Sequence, residues 1–348
     1  MAFRFFRRKR IAPGVSLNLS KRGGSLSFGP RGAKVTVGTR GVRGTVGVPG
    51  TGMHYTKHVS LGSGRRAKAR TPEDGADSSS EAVNRQLSLG FLRWLFTPKK
   101  ERAFVQGLKA LSQKNHEEAE RHLKACPEFA DAAFLLGILA VKREAVQDGA
   151  AWLTRAYQDR DNLQRLFNKY GLVPSFPLSI TSEVATFIEP DTRGTLLLLS
   201  QAFHEIGRHA DALKCAHTLH KTDPDDITIR LAAAELLAKG PNPTSQTWQD
   251  IVKLSEGAEN ESEVHAALLF CRARALFELG LFEGARDTLT TVLRRSKDRP
   301  DALLRKARYL RAQVYEALGR KSQARKEFEQ IYAEAPDYED VAERLGLG

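Results

Sequence analysis

Alternating apolar and polar residues mark the N-terminal part of the chain. Between residues 11 and 58, short alternating runs are separated by glycine-containing turns, and their centres lie about nine to eleven residues apart. Period-two alternation is typical of strands with one apolar face, and glycine supplies the positive φ that short hairpin turns require. The pattern predicts a small antiparallel β-meander over residues 1–58, whose strands contain Val15–Leu19, Ser25–Phe28, Lys34–Val37, Thr45–Val48 and Met53–Tyr55.

From Lys99 onward, apolar side chains instead recur at helical spacing, and the pattern repeats. Gly207, Gly280 and Gly319 each follow an apolar residue at a predicted helix end. Small residues lie at fixed distances before and after each glycine, which lets two antiparallel helices approach closely. These small residues are Ser200, Ala273 and Ala312 before the glycines and Ala212, Ala285 and Ala324 after them. The pattern predicts successive helix pairs that stack on one another over residues 99–348.

The N-terminal module resembles a known family. The motifs that carry the resemblance are Phe3-Arg4-Phe5, Pro13-Gly14-Val15, Leu17–Lys21, Val35–Gly38 and Val48–Gly52, with Tyr55 after them. They resemble, in order, a bacterial domain known as domain of unknown function 4236, from Met1 to about Thr56. The resemblance implies a bacterial source and an N-terminal position ahead of other modules, and it implies no known activity.

The helical region is similar to the tetratricopeptide repeat (TPR), a helix–turn–helix unit of about 34 residues. The final unit, Arg305–Tyr338, matches best, followed by Ala266–Lys297 and Arg193–Asp226. The prolines at 241 and 243 lengthen one turn, and a proline-rich segment over residues 170–190 interrupts the repeat as an irregular loop or a divergent unit. We therefore predict a mainly α fold, a TPR-like helical solenoid that carries a small N-terminal antiparallel β-meander.

The TPR resemblance also implies a binding surface. Repeats of this kind present a concave face from the first helix of each pair, and their usual task is to hold a peptide or a protein there. We expect partner-binding positions on three of the first helices, namely Gln201, His204, Glu205, Phe270, Arg274, Phe277, Tyr309, Gln313 and Glu316. The alternative for each of them is an ordinary exposed helix face.

Two segments join the modules. Residues 59–81 are rich in Gly, Ser and charged residues without a hydrophobic period, which predicts a flexible linker. Residues 82–98 predict an amphipathic helix with Leu87, Phe91, Trp94 and Leu95 on one face. We favour packing of this helix against the next domain, and an interfacial membrane helix is the alternative.

The charge is distributed unevenly along the chain. The whole sequence has 54 Lys and Arg against 41 Asp and Glu, a net charge of +13. Residues 1–72 contain sixteen of the basic residues and no acidic one, so the remainder is slightly acidic. This excess allows contact with a polyanion such as nucleic acid or anionic lipid, protection of the sheet edges against aggregation, or attraction to the acidic helical region. The candidate polyanion-binding residues are Arg4, Arg7, Arg8, Lys9, Arg10, Arg40 and Arg43.

Other features exclude several protein classes. No apolar run approaches the ~18 residues that a membrane-spanning helix needs, and no apolar stretch follows the basic N-terminus as in a secretory signal. Cys126, Cys215 and Cys271 have no metal or redox spacing, and their odd number argues against a disulfide framework. We expect a cytoplasmic protein, with peripheral attachment to a membrane as the alternative.

The sequence contains no residue pattern that predicts catalysis. His217 and His220 lie three apart near Cys215, a spacing that could share a metal, but no third ligand has a fixed spacing. We predict no metal, no cofactor, no small-molecule substrate and no catalytic centre. The leading hypothesis is a scaffold whose helices bind a protein or peptide, and the alternative is a tether to nucleic acid or an anionic membrane.

Overall fold

The structure is a computed structural model of the 348-residue chain. It describes the backbone of strands within residues 6–59 and, apart from the side chain of Val173, residues 97–347 in full. Most of the predicted linker (59–81) and of the amphipathic helix (82–98) lies outside the described residues, as do Arg4 and Arg40. These parts of the sequence analysis stay predictions.

The N-terminal strands form the predicted meander. Each strand pairs with the next along the chain in antiparallel register, with Leu17 opposite Leu26 and Val37 opposite Val42. The strands described there are β1 (Phe6–Ala12), β2 (Val15–Ser20), β3 (Gly23–Phe28), β4 (Ala33–Gly38), β5 (Gly41–Gly47) and β6 (Met53–Val59). Strand β1 was not predicted, because its run of four basic residues hides the apolar alternation.

Fourteen α-helices lie in the described residues after position 96. They are α1 (Lys99–Ser112), α2 (His116–Leu123), α3 (Ala130–Lys142), α4 (Val146–Gln158), α5 (Arg165–Lys169), α6 (Thr192–Glu205), α7 (His209–Thr222), α8 (Ile227–Ala238), α9 (Ser245–Leu254), α10 (Glu263–Glu278), α11 (Phe282–Leu293), α12 (Asp301–Ala317), α13 (Lys321–Glu334) and α14 (Val341–Leu345). The fold is therefore mainly α, a TPR-like helical solenoid, as the repeat pattern predicts.

The chain divides into two compact units. Unit 1 comprises Met1–Phe176 and Phe187–Thr195, and unit 2 comprises Pro177–Thr186 and Leu196–Gly348. Between α5 and α6 lie strand β7 (Val173–Pro174), which pairs with β6, and the two-stranded sheet of β8 (Phe176–Ser179) and β9 (Ala185–Ile188). The segment at 170–190 is thus a hairpin insertion rather than another helix pair.

The fixed spacing of small residues around the turn glycines corresponds to buried helix contacts in unit 2. The small residues before and after the turn glycines are almost completely buried: Ser200, Ala212, Ala273, Ala285, Ala312 and Ala324 are each at most 2% exposed. Gly207, Gly280 and Gly319 have φ values of 77°, 74° and 73°, which only glycine adopts without strain. Each helix pair therefore closes through a left-handed turn and a contact between small side chains.

In unit 1 the same close approach uses glycine inside the helices. A Cβ added to Gly137 on α3 would lie 2.5 Å from Cγ of Leu153 on α4, and Leu153 is fully buried. The carbonyl oxygen of Gly149 would be 3.4 Å from the same Cβ. A larger residue at position 137 cannot fit unless the buried Leu153 side chain or the helices shift.

Buried polar contacts fix the segment that follows α4. The carboxylate of Asp131, itself 1% exposed, accepts hydrogen bonds from the backbone N–H groups of Gln164 and Leu166 at 2.6 and 2.7 Å. The Tyr170 hydroxyl donates to the carboxylate of Glu101 at 2.6 Å. These contacts tie the chain that leads into the insertion to the first helix of each pair in unit 1.

We predict that Gly137→Ala lowers the stability of the fold by about 1–3 kcal/mol, because the added methyl group overpacks the contact between α3 and α4. The measurement is the thermal unfolding midpoint by circular dichroism. The control is Gly284→Ala on α11, where the added Cβ has its nearest neighbour at 3.6 Å. This exposed change should be neutral or stabilising by up to about 1 kcal/mol, and equal losses for both variants would contradict the packing account.

Candidate partner-binding surface

The central feature of the candidate site is the tip of the hairpin insertion. We call Pro177–Thr186, which belongs to unit 2, the inserted loop. The Val184 carbonyl accepts hydrogen bonds from the N–H groups of Ile180 and Thr181 at 2.9 and 3.1 Å. The Thr181 hydroxyl oxygen in turn accepts from the N–H of Val184 at 3.0 Å. These bonds give the tip a defined conformation.

The inserted loop buries apolar side chains at alternate positions. Leu178 and Ile180 are each 6% exposed and Val184 is 1% exposed, whereas Ser179 and Ser182 are exposed. A hairpin this short cannot bury such side chains within itself, so they need the surface of neighbouring elements. The alternation is that of an extended strand with one face covered.

Two polar contacts hold the inserted loop to helices of unit 2. The Nε2 of Gln201 on α6 donates to the backbone carbonyl of Ser179 at 2.6 Å. The Nζ of Lys306 on α12 donates to Oε1 of Glu183 at 3.1 Å. Since α6 and α12 are the first helices of their pairs, the loop crosses the side of unit 2 formed by α6, α8, α10 and α12. We call this side the first-helix face.

Electrostatics favour the ionised form of Glu183 at this contact. Burial raises the pKa of Glu183, but hydrogen bonds from Ser182 and Lys306 and the charge of Lys306 outweigh it, so the pKa lies below its usual range. The Ser182 hydroxyl donates to Oε1 of Glu183 at 2.7 Å. The ammonium group of Lys306 also lies 5.3 Å from the ring centroid of Phe270 on α10, a cation–π distance.

Beside the inserted loop, the first-helix face forms an open groove of about 260 Å³. One wall is the loop from Ser179 to Ser182, and the other walls are α6 and α8. Its lining combines the apolar Ala232 and Leu236 with polar and charged side chains. An open groove of mixed lining suits a peptide segment better than a compact polar metabolite.

Two pairs of polar side chains involve residues of the groove wall. On α8, Glu235 accepts a hydrogen bond from Lys239 at 2.9 Å and from the thiol of Cys271 at 3.4 Å. On α6, Nδ1 of His204 lies 3.1 Å from Nδ1 of His209. Burial and the neighbouring His209 lower the pKa of His204, so at neutral pH this imidazole is uncharged.

The structure brings three of the predicted partner-binding residues together. Gln201, His204 and Glu205 all line the groove. Phe270 is 7% exposed and lies under Lys306, so its ring is a buried support rather than an exposed contact. The residues of α10 that follow pack differently: Arg274 lies 5.5 Å from the Trp248 ring, and Phe277 lies 5.5 Å from Phe282 of the same helix pair.

The predicted residues on α12 are directed toward the C-terminal helix. The hydroxyl of Tyr309 donates to Oδ1 of Asp340 at 2.6 Å, and Glu316 forms an ion pair with Arg344 on α14. Gln313 is half-buried on the same helix. These three residues are therefore separate from the groove beside α6.

Sequence reasoning missed the residues that define this surface. Lys306 and Glu235 lie on first helices outside the expected inward positions, and Lys239 directly follows α8. The inserted loop was treated only as an interruption. The signal available was small: Lys306 precedes Tyr309 by three residues and so shares its side of α12. No spacing rule relates Lys306 to Glu183, because 123 residues separate them.

The other sequence candidates contribute less to a site. Arg7, Arg8, Lys9 and Arg10 lie on β1 and Arg43 lies on β5, but the structure does not describe their side chains. Within residues 97–347, no three His, Cys, Asp or Glu side chains gather as a metal site requires. In the same part of the chain, no helix has the length and apolar character to cross a membrane.

We predict that Lys306→Met loosens the inserted loop, because it leaves the mostly buried Glu183 carboxylate without its cation. Hydrogen exchange of the Ile180 and Thr181 amides should accelerate about fivefold to tenfold. The control is Lys253→Met, which removes an exposed ion pair to Asp250 at 3.7 Å on α9. That variant should change the loop's exchange by less than about twofold. Unchanged exchange in Lys306→Met would contradict the anchoring role.

Two family comparisons match separate parts of the chain. Residues 3–56 match a protein family of unknown function, DUF4236, in agreement with the N-terminal resemblance. Residues 145–346 match the N-terminal domain of EccA1, described as a protein of the ESX-1 type VII secretion system. Among curated proteins, no sequence is significantly similar to this chain.

Several solved structures are similar to this chain. Because the sequence identities are low, the similarity concerns the fold alone. The crystal structure of the N-terminal domain of the EccA1 ATPase from the ESX-1 secretion system of Mycobacterium tuberculosis has a TM-score of 0.51 at 14% identity, covering 76% of this chain and 90% of that one. A thermophilic TPR protein of Thermus thermophilus has a TM-score of 0.40 at 15% identity, covering 62% and 97%. The apo quorum sensor NprR from B. thuringiensis has a TM-score of 0.45 at 12% identity, covering 78% and 74%.

The family match and the fold agree on the helical part of the molecule. The matched region includes the hairpin insertion and nearly all of unit 2, and it extends over more than half of the 348 residues. The chain therefore belongs to the family of the EccA1 N-terminal domain.

Proposed function

We propose that this protein is a non-catalytic scaffold for protein–protein interaction and that the first-helix face of unit 2 holds the partner. The observation that carries the proposal is the inserted loop itself. It is an extended segment with an apolar edge, and it is held on this face by a backbone hydrogen bond and an ion pair. A surface that accommodates one extended segment has the chemistry needed to bind another.

The chemistry of the face supports a scaffold rather than an enzyme. The carboxylates of Glu183 and Glu235 are each paired with a lysine, so neither is placed as a free general base. Burial raises the pKa of the Cys215 thiol to about 11 and that of Cys271 well above its usual value, which makes both poor nucleophiles. Three buried, unpaired thiols also suit the reducing cytoplasm, where we place the protein.

The family relationship favours a protein as the ligand class. EccA1 is named as a protein of the ESX-1 secretion system, a setting in which we expect a protein ligand. The expected partner is therefore a protein that offers a segment to the groove between α6 and α8.

We predict that charge reversal in the groove, Glu205→Lys together with Lys239→Glu, lowers partner affinity at least about tenfold, because groove contacts of both signs become repulsive. Tagged full-length chain is used to capture partners from its host cells. The captured protein is identified by mass spectrometry, purified and titrated against both forms of the chain.

The matched control is Lys326→Glu on α13, an exposed second helix away from the first-helix face. It should bind the purified partner like the parent chain. If the groove variant and the control bind that partner with the same affinity as the parent, the proposed surface is wrong.

A second candidate function rests on the charge of the N-terminal module. Sixteen basic residues without an acidic one in residues 1–72 constitute the kind of charge excess that attracts phosphate groups without sequence preference. We keep a tether to nucleic acid or anionic membrane as an independent candidate, because it uses residues other than the groove.

We predict for this tether that binding of the full chain to DNA or to anionic vesicles weakens steeply with salt, because counterions are released from the polyanion. Changing Arg7, Arg8, Lys9 and Arg10 to Gln should reduce the slope of log affinity against log salt by about three to four for DNA. The matched control changes Lys214, Lys253, Lys297 and Lys326 to Gln in unit 2. If the full chain shows salt-dependent binding to neither DNA nor anionic vesicles, the tether hypothesis is wrong.

A further inference from the structure

Two polar contacts join the inserted loop to the first-helix face. They are the bond from Gln201 to the Ser179 carbonyl and the ion pair of Lys306 with Glu183. The lysine is 38% exposed in its side chain, so water reaches the ion pair.

The contacts of the loop follow a simple sequence pattern. Leu178 and Ile180 are buried two residues apart on one edge of the extended segment, and Glu183 follows three residues later. Gln201 binds the backbone carbonyl between the two apolar residues, a group that any sequence can offer. Lys306 binds the Glu183 side chain, and only a carboxylate or a similar anion supplies the same interaction. The loop therefore offers two buried apolar positions and one negative charge.

We propose that the inserted loop is a resident occupant of the first-helix face and that the partner displaces it with a segment of the same chemistry. That segment is extended and carries apolar residues at positions one and three and a carboxylate at position six. This inference rests on the proposed function and specifies it: the loop, Glu183 and Lys306 determine which protein segments the scaffold accepts.

Occupancy by the loop has a thermodynamic consequence. The loop is covalently attached, so its effective concentration at the face is on the order of millimolar. The apparent affinity for a competing segment equals the intrinsic affinity multiplied by the fraction of chains in which the loop is released. If that fraction is about a tenth, removal of the loop should strengthen binding of a free segment about tenfold.

The test uses a synthetic, fluorescently labelled peptide with the sequence of residues 175–188, SFPLSITSEVATFI. Its binding is measured by fluorescence anisotropy with the full chain and with a full-chain variant in which a Gly-Ser linker replaces residues 178–185. We expect the linker variant to bind the peptide at least about tenfold more tightly than the parent chain. Equal or weaker binding by a linker variant that melts cooperatively would overturn the proposal.

The charge requirement is tested with a change on each side of the contact. A peptide with Gln at the position of Glu183 should bind the linker variant about tenfold more weakly than the peptide of the parent sequence does. Lys306→Glu in the linker variant should reduce its affinity for the parent-sequence peptide to the same extent. A peptide with Lys at that position should regain affinity for the Lys306→Glu form. If the three peptides bind all forms equally, Lys306 does not select the segment and the proposal is wrong.

A second variant covers the case in which the linker variant fails to fold. Glu183→Lys in the full chain keeps the loop but replaces its ion pair with Lys306 by repulsion between two positive charges. The loop should then compete less well, so the peptide should bind this variant more tightly than it binds the parent chain. Unchanged peptide binding would overturn the proposal. Failure of this proposal can be distinguished from failure of the proposed function. If only the displacement of the loop is wrong, the partner still binds in a way that depends on Glu205 and Lys239, but the variants do not change binding of the peptide.

Discussion

The close approach of paired helices is the constraint on which the rest of the structure depends. In unit 1, Gly137 allows α3 to contact Leu153 of α4 at a distance that excludes a Cβ. In unit 2, alanine and serine serve the same purpose, with Ala273 and Ala312 completely buried. Because the helix pairs of unit 2 are held so tightly, their first helices can form a face on which the inserted loop lies.

The inserted loop makes contacts with this face that a bound peptide segment could also make. Gln201 contributes a donor for a backbone carbonyl, and Lys306, supported by the Phe270 ring, contributes a cation for a carboxylate. One interaction is indifferent to sequence and the other is selective, a division typical of surfaces that bind extended peptides. The hairpin thus joins the fold to the proposed function, because the same contacts that position the loop define the ligand that would replace it.

The sequence predicted the repeats well, since their signal is local. The glycines at 207, 280 and 319 lie where the repeat pattern places them, with positive φ in each case. The first-helix register also selects Gln201, His204 and Glu205, which line the groove, and their role in partner binding stays a prediction. It did not identify the use of Phe270 as a buried support or the contact of Tyr309 with Asp340, because both depend on elements distant in sequence. The Glu183–Lys306 pair was beyond prediction for the same reason, since no periodicity connects a hairpin to a helix 123 residues away.

The central claim is that the inserted loop occupies the first-helix face in the free protein and leaves it when a matching segment binds. Ala185 on the loop and Ala317 at the end of α12 are both exposed and can carry spin labels after replacement by Cys in a chain whose native thiols are buried. Pulsed electron paramagnetic resonance measures the distribution of distances between the labels. We expect a narrow main distribution for the free chain and a minor, broader one that grows as peptide 175–188 is added in excess. A distribution that is already broad without peptide, or one that stays unchanged when bound peptide saturates the chain, would contradict it.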